Sequence, residues 1–153
     1  LEALASHFSA PPLSSWKEKF HGTWTQIHQA GNSIRFLATN TFMNDSGSSV
    51  GPFCSFFSIQ PEQLLIIHDE LELPFGEYAY RKGGGTAGHN GLKSLAKHLG
   101  TRDFCRLRIG IGRPQRGDVS SHVLGRFSPL EEAQLEDIIA SIVQNFCKDV
   151  QKL

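Results

Sequence analysis

Three short polar clusters in this 153-residue chain hold side chains able to do chemistry. They are Thr41-Phe42-Met43-Asn44, His68-Asp69-Glu70, and the glycine-rich stretch from Gly83 to Gly91 that contains His89 and Asn90. Asp69 follows the aliphatic run Leu64-Leu65-Ile66-Ile67. A carboxylate at the end of a buried strand is costly unless it is paired or used. It can ligate a metal, orient a histidine, or serve as a turn or cap residue. The carboxamides of Asn44 and Asn90 can donate and accept hydrogen bonds at a substrate, or each can cap a helix. His68 and His89 can equally be satisfied structural histidines. The third cluster has five glycines in nine residues. That density carries an entropic penalty, and its benefit is tight turning and close approach to a ligand. A helix follows it, and a helix N-terminus favours an anion. The stretch is not a phosphate loop of the GxxxxGK[ST] type, because no Lys-Ser or Lys-Thr pair closes it.

The charge pattern adds a clue. Residues 81 to 126 carry ten Lys and Arg against two Asp, whereas the whole chain is neutral. Such a block is a candidate phosphate-binding footprint. Cys54, Cys105 and Cys147 are isolated from one another, with no CxxC pair, and read as buried thiols. No apolar run approaches the roughly 20 residues of a membrane helix. No signal peptide is recognisable, so a soluble cytoplasmic chain is expected. The chain opens at Leu1, inside a helical pattern and without an initiator Met, which suggests an N-terminal truncation.

The elements that must position these clusters follow from periodicity. Leu1, Leu4, Ala5 and Phe8 have helical spacing, closed by Pro11-Pro12. Phe20 to Gln29 and Ile34 to Thr39 read as a hairpin around Ala30-Gly31-Asn32. Ser46 to Phe57 reads as a helix that Pro52 must kink, or near whose start it must sit. Leu64 to Ile67 suits a strand buried on both faces. Glu77 to Arg81 is a short strand, and Leu92 to Leu99 a helix ended by Gly100. Arg106 to Ile111 alternates basic and apolar residues, as a strand with one buried face does. Ser128-Pro129-Leu130-Glu131 is a capping box. It opens a helix whose stripe of Leu135, Ile138, Ile139, Ile142, Val143, Phe146 and Val150 is core or interface packing. The intermixed elements predict an α/β fold. The expectation is a single domain over residues 1–153, built as a three-layer α/β/α sandwich with a central mixed twisted sheet.

Four blocks, taken together, resemble the bacterial-type peptidyl-tRNA hydrolases. They are Asn-Thr-Phe-Met-Asn-Asp-Ser-Gly (40–47), His-Asp-Glu-Leu-Glu-Leu-Pro-Phe-Gly (68–76), Gly-Gly-Gly-Thr-Ala-Gly-His-Asn-Gly-Leu-Lys-Ser-Leu (83–95) and Phe-Cys-Arg-Leu-Arg-Ile-Gly-Ile-Gly-Arg-Pro (104–114). The resemblance implies a hydrolase of the ester between a peptide and the 3′ ribose of tRNA, needing neither metal nor cofactor. It implies a histidine base oriented by an aspartate, which Asp69 matches. Asn44 and Asn90 match asparagines that contact substrate and the attacking water. Phe42 and Met43 match wall residues near the tRNA 3′ end, and His89 falls in the same substrate-binding block. Arg81 and Arg108 fall where the family clamps tRNA phosphate. The resemblance also implies a monomer with peptidyl-tRNA as its partner and no membrane association. Asn44, Asp69 and Asn90 are expected to converge on one cleft, with Arg81 and Arg108 on an exposed basic face beside it.

The family's Gly-Asn-Pro-Gly turn and its Thr-Arg-His-Asn segment, which carries the base, do not occur in these 153 residues. The base segment and one strand are therefore expected to be missing, the C-terminal helix to be cut short at Leu153, and the chain as it stands to be inactive. Two other readings use the same residues. One is a non-catalytic RNA- or protein-binding relative of the same fold. The other is a nucleotide-binding α/β domain built on the glycine loop.

Overall fold

The computed structural model describes residues 1–151. The expectation about Leu153 lies outside the described residues. The chain forms two compact units, one of Leu1–Leu64 with Gly83–Phe104, the other of Leu65–Lys82 with the chain from Cys105 onward.

The first unit opens with helix α1 (Glu2–His7), as the spacing of Leu4 and Ala5 predicts. Three antiparallel strands follow, β1 (Lys17–Lys19), β2 (Gly22–Gln29) and β3 (Asn32–Thr39). β2 and β3 form the expected hairpin, with Gln29 opposite Asn32. Its turn places Ala30 and Gly31 at φ 49° and 79°, the left-handed pair that matches strand twist in a two-residue hairpin loop. Ala5, Trp16 and Phe36 are buried together, flanked by Phe8, Ile27 and Ile34. Each large apolar side chain fully buried in this way contributes about 1.5–3 kcal/mol.

Helix α2 (Ser46–Phe57) tolerates Pro52 in its interior rather than near its start. The ring removes the hydrogen bond to the Ser48 carbonyl. Helix α3 (Asn90–Leu99) stops at Gly100, which takes φ 72°. Val50 and Phe53 on α2, and Leu92 and Leu95 on α3, form the buried faces of these two helices.

The second unit holds β4 (Leu65–Glu70), β5 (Tyr78–Lys82) and β6 (Cys105–Gly110) in the order β4-β6-β5. β4 pairs with β6 in parallel and β5 with β6 antiparallel. Two helices follow, α4 (Val119–Val123) and α5 (Pro129–Val150). Both halves of the capping box that starts α5 form, Glu131 N–H to Ser128 Oγ at 3.3 Å and Ser128 N–H to Glu131 Oε2 at 2.7 Å. On the α5 stripe Ile142 is buried, and Phe146 meets Tyr80 of β5 edge-on at 6.3 Å.

The α/β class and the mixed strand pairing agree with expectation. The strands, however, form two three-stranded sheets among the described residues, not one central sheet. Among the described residues β3 pairs only with β2, and β4 only with β6. Among the described residues β4 therefore lies at an edge of its sheet, and Leu65 to Asp69 are half-buried rather than fully buried. Arg106 corrects a second expectation. The alternation on β6 assigns it to a solvent face, yet only 2% of it is exposed. The cysteines correct a third. Cys54 is buried, and burial pushes its thiol up to about 11, but Cys105 is half-buried and Cys147 exposed.

Candidate active site

In the first unit, Phe42 leads into a single 3-10 turn over Met43–Asp45, which runs straight into α2. This turn lies against the start of α3, and the reason is local. Gly47, in the first turn of α2, donates its backbone N–H to Ser94 Oγ of α3 at 3.0 Å. A Cβ on Gly47 would fall inside contact distance of the Ser94 carbonyl oxygen and of the His98 ring. Only glycine lets the two helices approach this closely. Gly91 of α3 repeats the device, since a Cβ there would sit 3.1 Å from Met43 Cγ and 3.0 Å from His89 Cε1.

This packing brings Asn44 and Asn90 to one open cavity of about 420 Å³, whose other lining residues are Asp45, Lys93, Ser94, Lys97 and His98. Neither asparagine is a helix cap. The N-cap of α2 is Asp45. The N-cap of α3 is His89, whose Nδ1 accepts from Leu92 N–H at 3.3 Å. That acceptor role leaves the His89 ring proton on Nε2 when the ring is neutral. Both asparagines are exposed, and among the described residues neither carboxamide is engaged in a hydrogen bond. Phe42 is 87% exposed, a large apolar side chain held out in solvent. His98 donates from Nδ1 to the Ser94 carbonyl at 2.9 Å, which fixes its ring beside the cavity.

Sequence reasoning missed Lys93, Lys97 and His98 as members of this cavity. Lys93 and Lys97 stand four residues apart and so share a helix face, a spacing that also describes any solvated surface. Their i,i+4 relation to one another and their place after Asn90 were the available signal. They also line a second open cavity of about 400 Å³ with Thr86, Thr101 and Arg102.

Asp69, Arg81 and Arg108 belong to the second unit. Asp69 is the penultimate residue of β4, half-buried, and registers with Ile109. Arg81 registers with Arg106, and Arg108 with His68 and Ala79. Side chains alternate across a sheet, so Arg81, Arg106 and Arg108 share one face and Asp69 points to the other. Arg81 is exposed. Arg108 is partly exposed, and its Nε donates to Glu70 Oε2 at 2.9 Å. Burial works to raise the Glu70 carboxyl. The Glu72 backbone N–H and the Arg108 guanidinium outweigh that and hold it below the usual glutamate range. Arg113 pairs with Glu72 in the loop beyond and likewise lowers that carboxyl.

Comparison with known proteins places the chain in a family. Residues 1–152 match the peptidyl-tRNA hydrolase family. The chain is 43% identical over 148 residues to the peptidyl-tRNA hydrolase of Sorangium cellulosum, covering 95% of this chain and 65% of that protein. It is 41% identical over 150 residues to that of Lactobacillus gasseri, covering 98% of this chain and 80% of the relative. Among solved structures, the peptidyl-tRNA hydrolase of Acinetobacter baumannii superposes with a TM-score of 0.83 at 37% identity, over 99% of this chain and 76% of that one. The chain belongs to the peptidyl-tRNA hydrolase family. These matches give no support to the expectation of a missing base segment. Among the described residues, no helix is long and apolar enough to cross a membrane.

Proposed function

We propose that the protein hydrolyses the ester joining a peptide to the 3′ ribose of tRNA, releasing both for reuse in translation. One observation carries this reading within the family: Asn44 and Asn90, from separate segments, present unengaged carboxamides to a single cavity beside two lysines. Water attacking the ester carbonyl generates a tetrahedral oxyanion, which then collapses to a peptide carboxylate and a ribose hydroxyl. A carboxamide N–H stabilises that oxyanion, and a carboxamide oxygen accepts from the attacking water.

The other site residues take roles that the family resemblance assigns. Asp69 orients the imidazole that removes the proton from water and keeps it in its useful tautomer. Phe42 offers an exposed ring on which a 3′-terminal base can stack, and Met43 and His89, both packed near Gly91, add to the substrate wall. Arg81 and Arg108 bind backbone phosphate, which positions the tRNA without reading its sequence. No metal or cofactor enters the scheme, and the protein acts as a cytoplasmic monomer.

The test is incubation with an N-blocked aminoacyl-tRNA carrying a labelled acyl group. Release of the labelled acid together with intact tRNA supports the proposal. Tight tRNA binding with no release identifies an RNA-binding relative instead, and saturable binding of a free dinucleotide points to the glycine loop as a nucleotide site.

A further inference from the structure

β4 ends on Glu70, a carboxylate that is only 9% exposed. Its two oxygens have separate partners. Oε1 accepts from the Glu72 backbone N–H at 3.1 Å, and Oε2 accepts from Arg108 Nε at 2.9 Å. The residue itself is fixed, because its carbonyl accepts from Ile111 N–H at 3.0 Å. Glu70 registers with Gly110 and His68 with Arg108, so Glu70 and Arg108 are diagonal neighbours on one face of the sheet.

The contact engages the guanidinium through Nε alone. Arg108 keeps 20% of its side-chain surface, and among the described residues its terminal Nη groups meet no other acceptor. A guanidinium presents its donors in a rigid plane, so anchoring Nε sets the direction in which the Nη pair points. A phosphate is recognised best by two parallel N–H groups held in that way. Arg81 lies on the same face, opposite Arg106 and so two residues along from Arg108.

Resting on the peptidyl-tRNA reading, we propose that Glu70 is a positioning residue for phosphate recognition, holding Arg108 by Nε so that its Nη pair is aimed at the tRNA backbone. The proposal makes a prediction opposite in sign to simple electrostatics. Removing a negative charge beside an anion-binding arginine ought to strengthen the binding of an anion. If Glu70 works by aiming Arg108, removing it weakens binding.

The experiment measures tRNA affinity across a salt series for the wild-type protein, Glu70→Gln, Glu70→Asp, Arg108→Ala and the Glu70→Gln/Arg108→Ala pair. Gln keeps the volume and the acceptor for Glu72 N–H but loses the charge. We expect Glu70→Gln to weaken binding about tenfold, and to lower the salt slope by about one unit, as Arg108→Ala does. In the Arg108→Ala background the same change is expected to cost nothing further. Glu70→Asp keeps the charge but falls one methylene short of Nε, so it too is expected to weaken binding. A purely structural role would lower the melting temperature and leave the salt slope unmoved. Affinity equal to or above wild type in folded Glu70→Gln, or unchanged affinity in Glu70→Asp should Gln not fold, overturns the proposal. A wild-type protein that binds no tRNA at any salt overturns the peptidyl-tRNA reading itself, so the two failures look different.

Discussion

Gly47 N–H and Ser94 Oγ meet at 3.0 Å, a bond that ties α2 to α3 where the 3-10 turn of Asn44 lies beside the first turn of α3, which holds Asn90. Both groups are buried, so the bond has no water to compete with. Gly47→Ala forces a Cβ into the Ser94 carbonyl and the His98 ring, and overpacking of this kind costs about 1–3 kcal/mol. Ser94→Ala leaves the Gly47 N–H without its acceptor and costs about 1–3 kcal/mol. Urea denaturation of both variants checks the stability. Peptide release is expected to fall in Gly47→Ala beyond what the unfolded fraction explains, because the two asparagines move apart.

Arg81 and Arg108 share one face of the second sheet. Replacing either by Ala is expected to weaken tRNA binding and to flatten its salt dependence by about one unit of slope for each phosphate that is no longer neutralised. Titrations of labelled tRNA from low to moderate salt read this directly. An unchanged slope in both variants would remove them from the phosphate-binding surface.

Glu70 makes stability depend on pH. Its folded-state carboxyl lies below the ordinary value, so its contribution is present in full above the unfolded pKa of about 4.3 and is lost as pH falls through the lower folded value. The wild-type protein should therefore lose stability between mildly acidic conditions and the region below about pH 4 more steeply than Glu70→Gln does. Denaturation curves at a series of acidic pH values compare the two slopes, and parallel slopes would deny Glu70 this role.

Much of this molecule was legible in its sequence, and the parts that were not have physical causes. The β2–β3 hairpin announces itself by its aromatic and β-branched residues and by the Ala30-Gly31-Asn32 turn, and α5 by Ser128-Pro129 and a long apolar stripe. β1 gave no signal, because Lys17–Lys19 is three charged residues with nothing apolar to alternate. α4 is five residues long, too short for a helical period, although Asp118 does cap it by accepting from Ser121 N–H at 3.0 Å. His122 ties α4 to the end of β6 by hydrogen bonds to the Ile111 and Gly112 carbonyls, contacts between segments that no local pattern reveals. Arg106 was misread because alternation tells which residues share a face but not whether that face meets solvent. At the site, Asn44 and Asn90 were legible only as candidates. Their capping alternative was settled by finding Asp45 and His89 at the caps instead.

The most direct measurement is a double-mutant cycle on peptide release from peptidyl-tRNA, comparing the wild-type protein with Asn44→Ala, Asn90→Ala and the double variant. If both carboxamides serve one transition state, each single change lowers kcat/KM by about 10²-fold with little change in stability, in line with the loss of one donor to an oxyanion. The double variant should then lose much less than the product of the two, because groups acting as a unit are not additive. Wild-type rates in both single variants, or no release of peptide by the wild-type protein, would contradict the account.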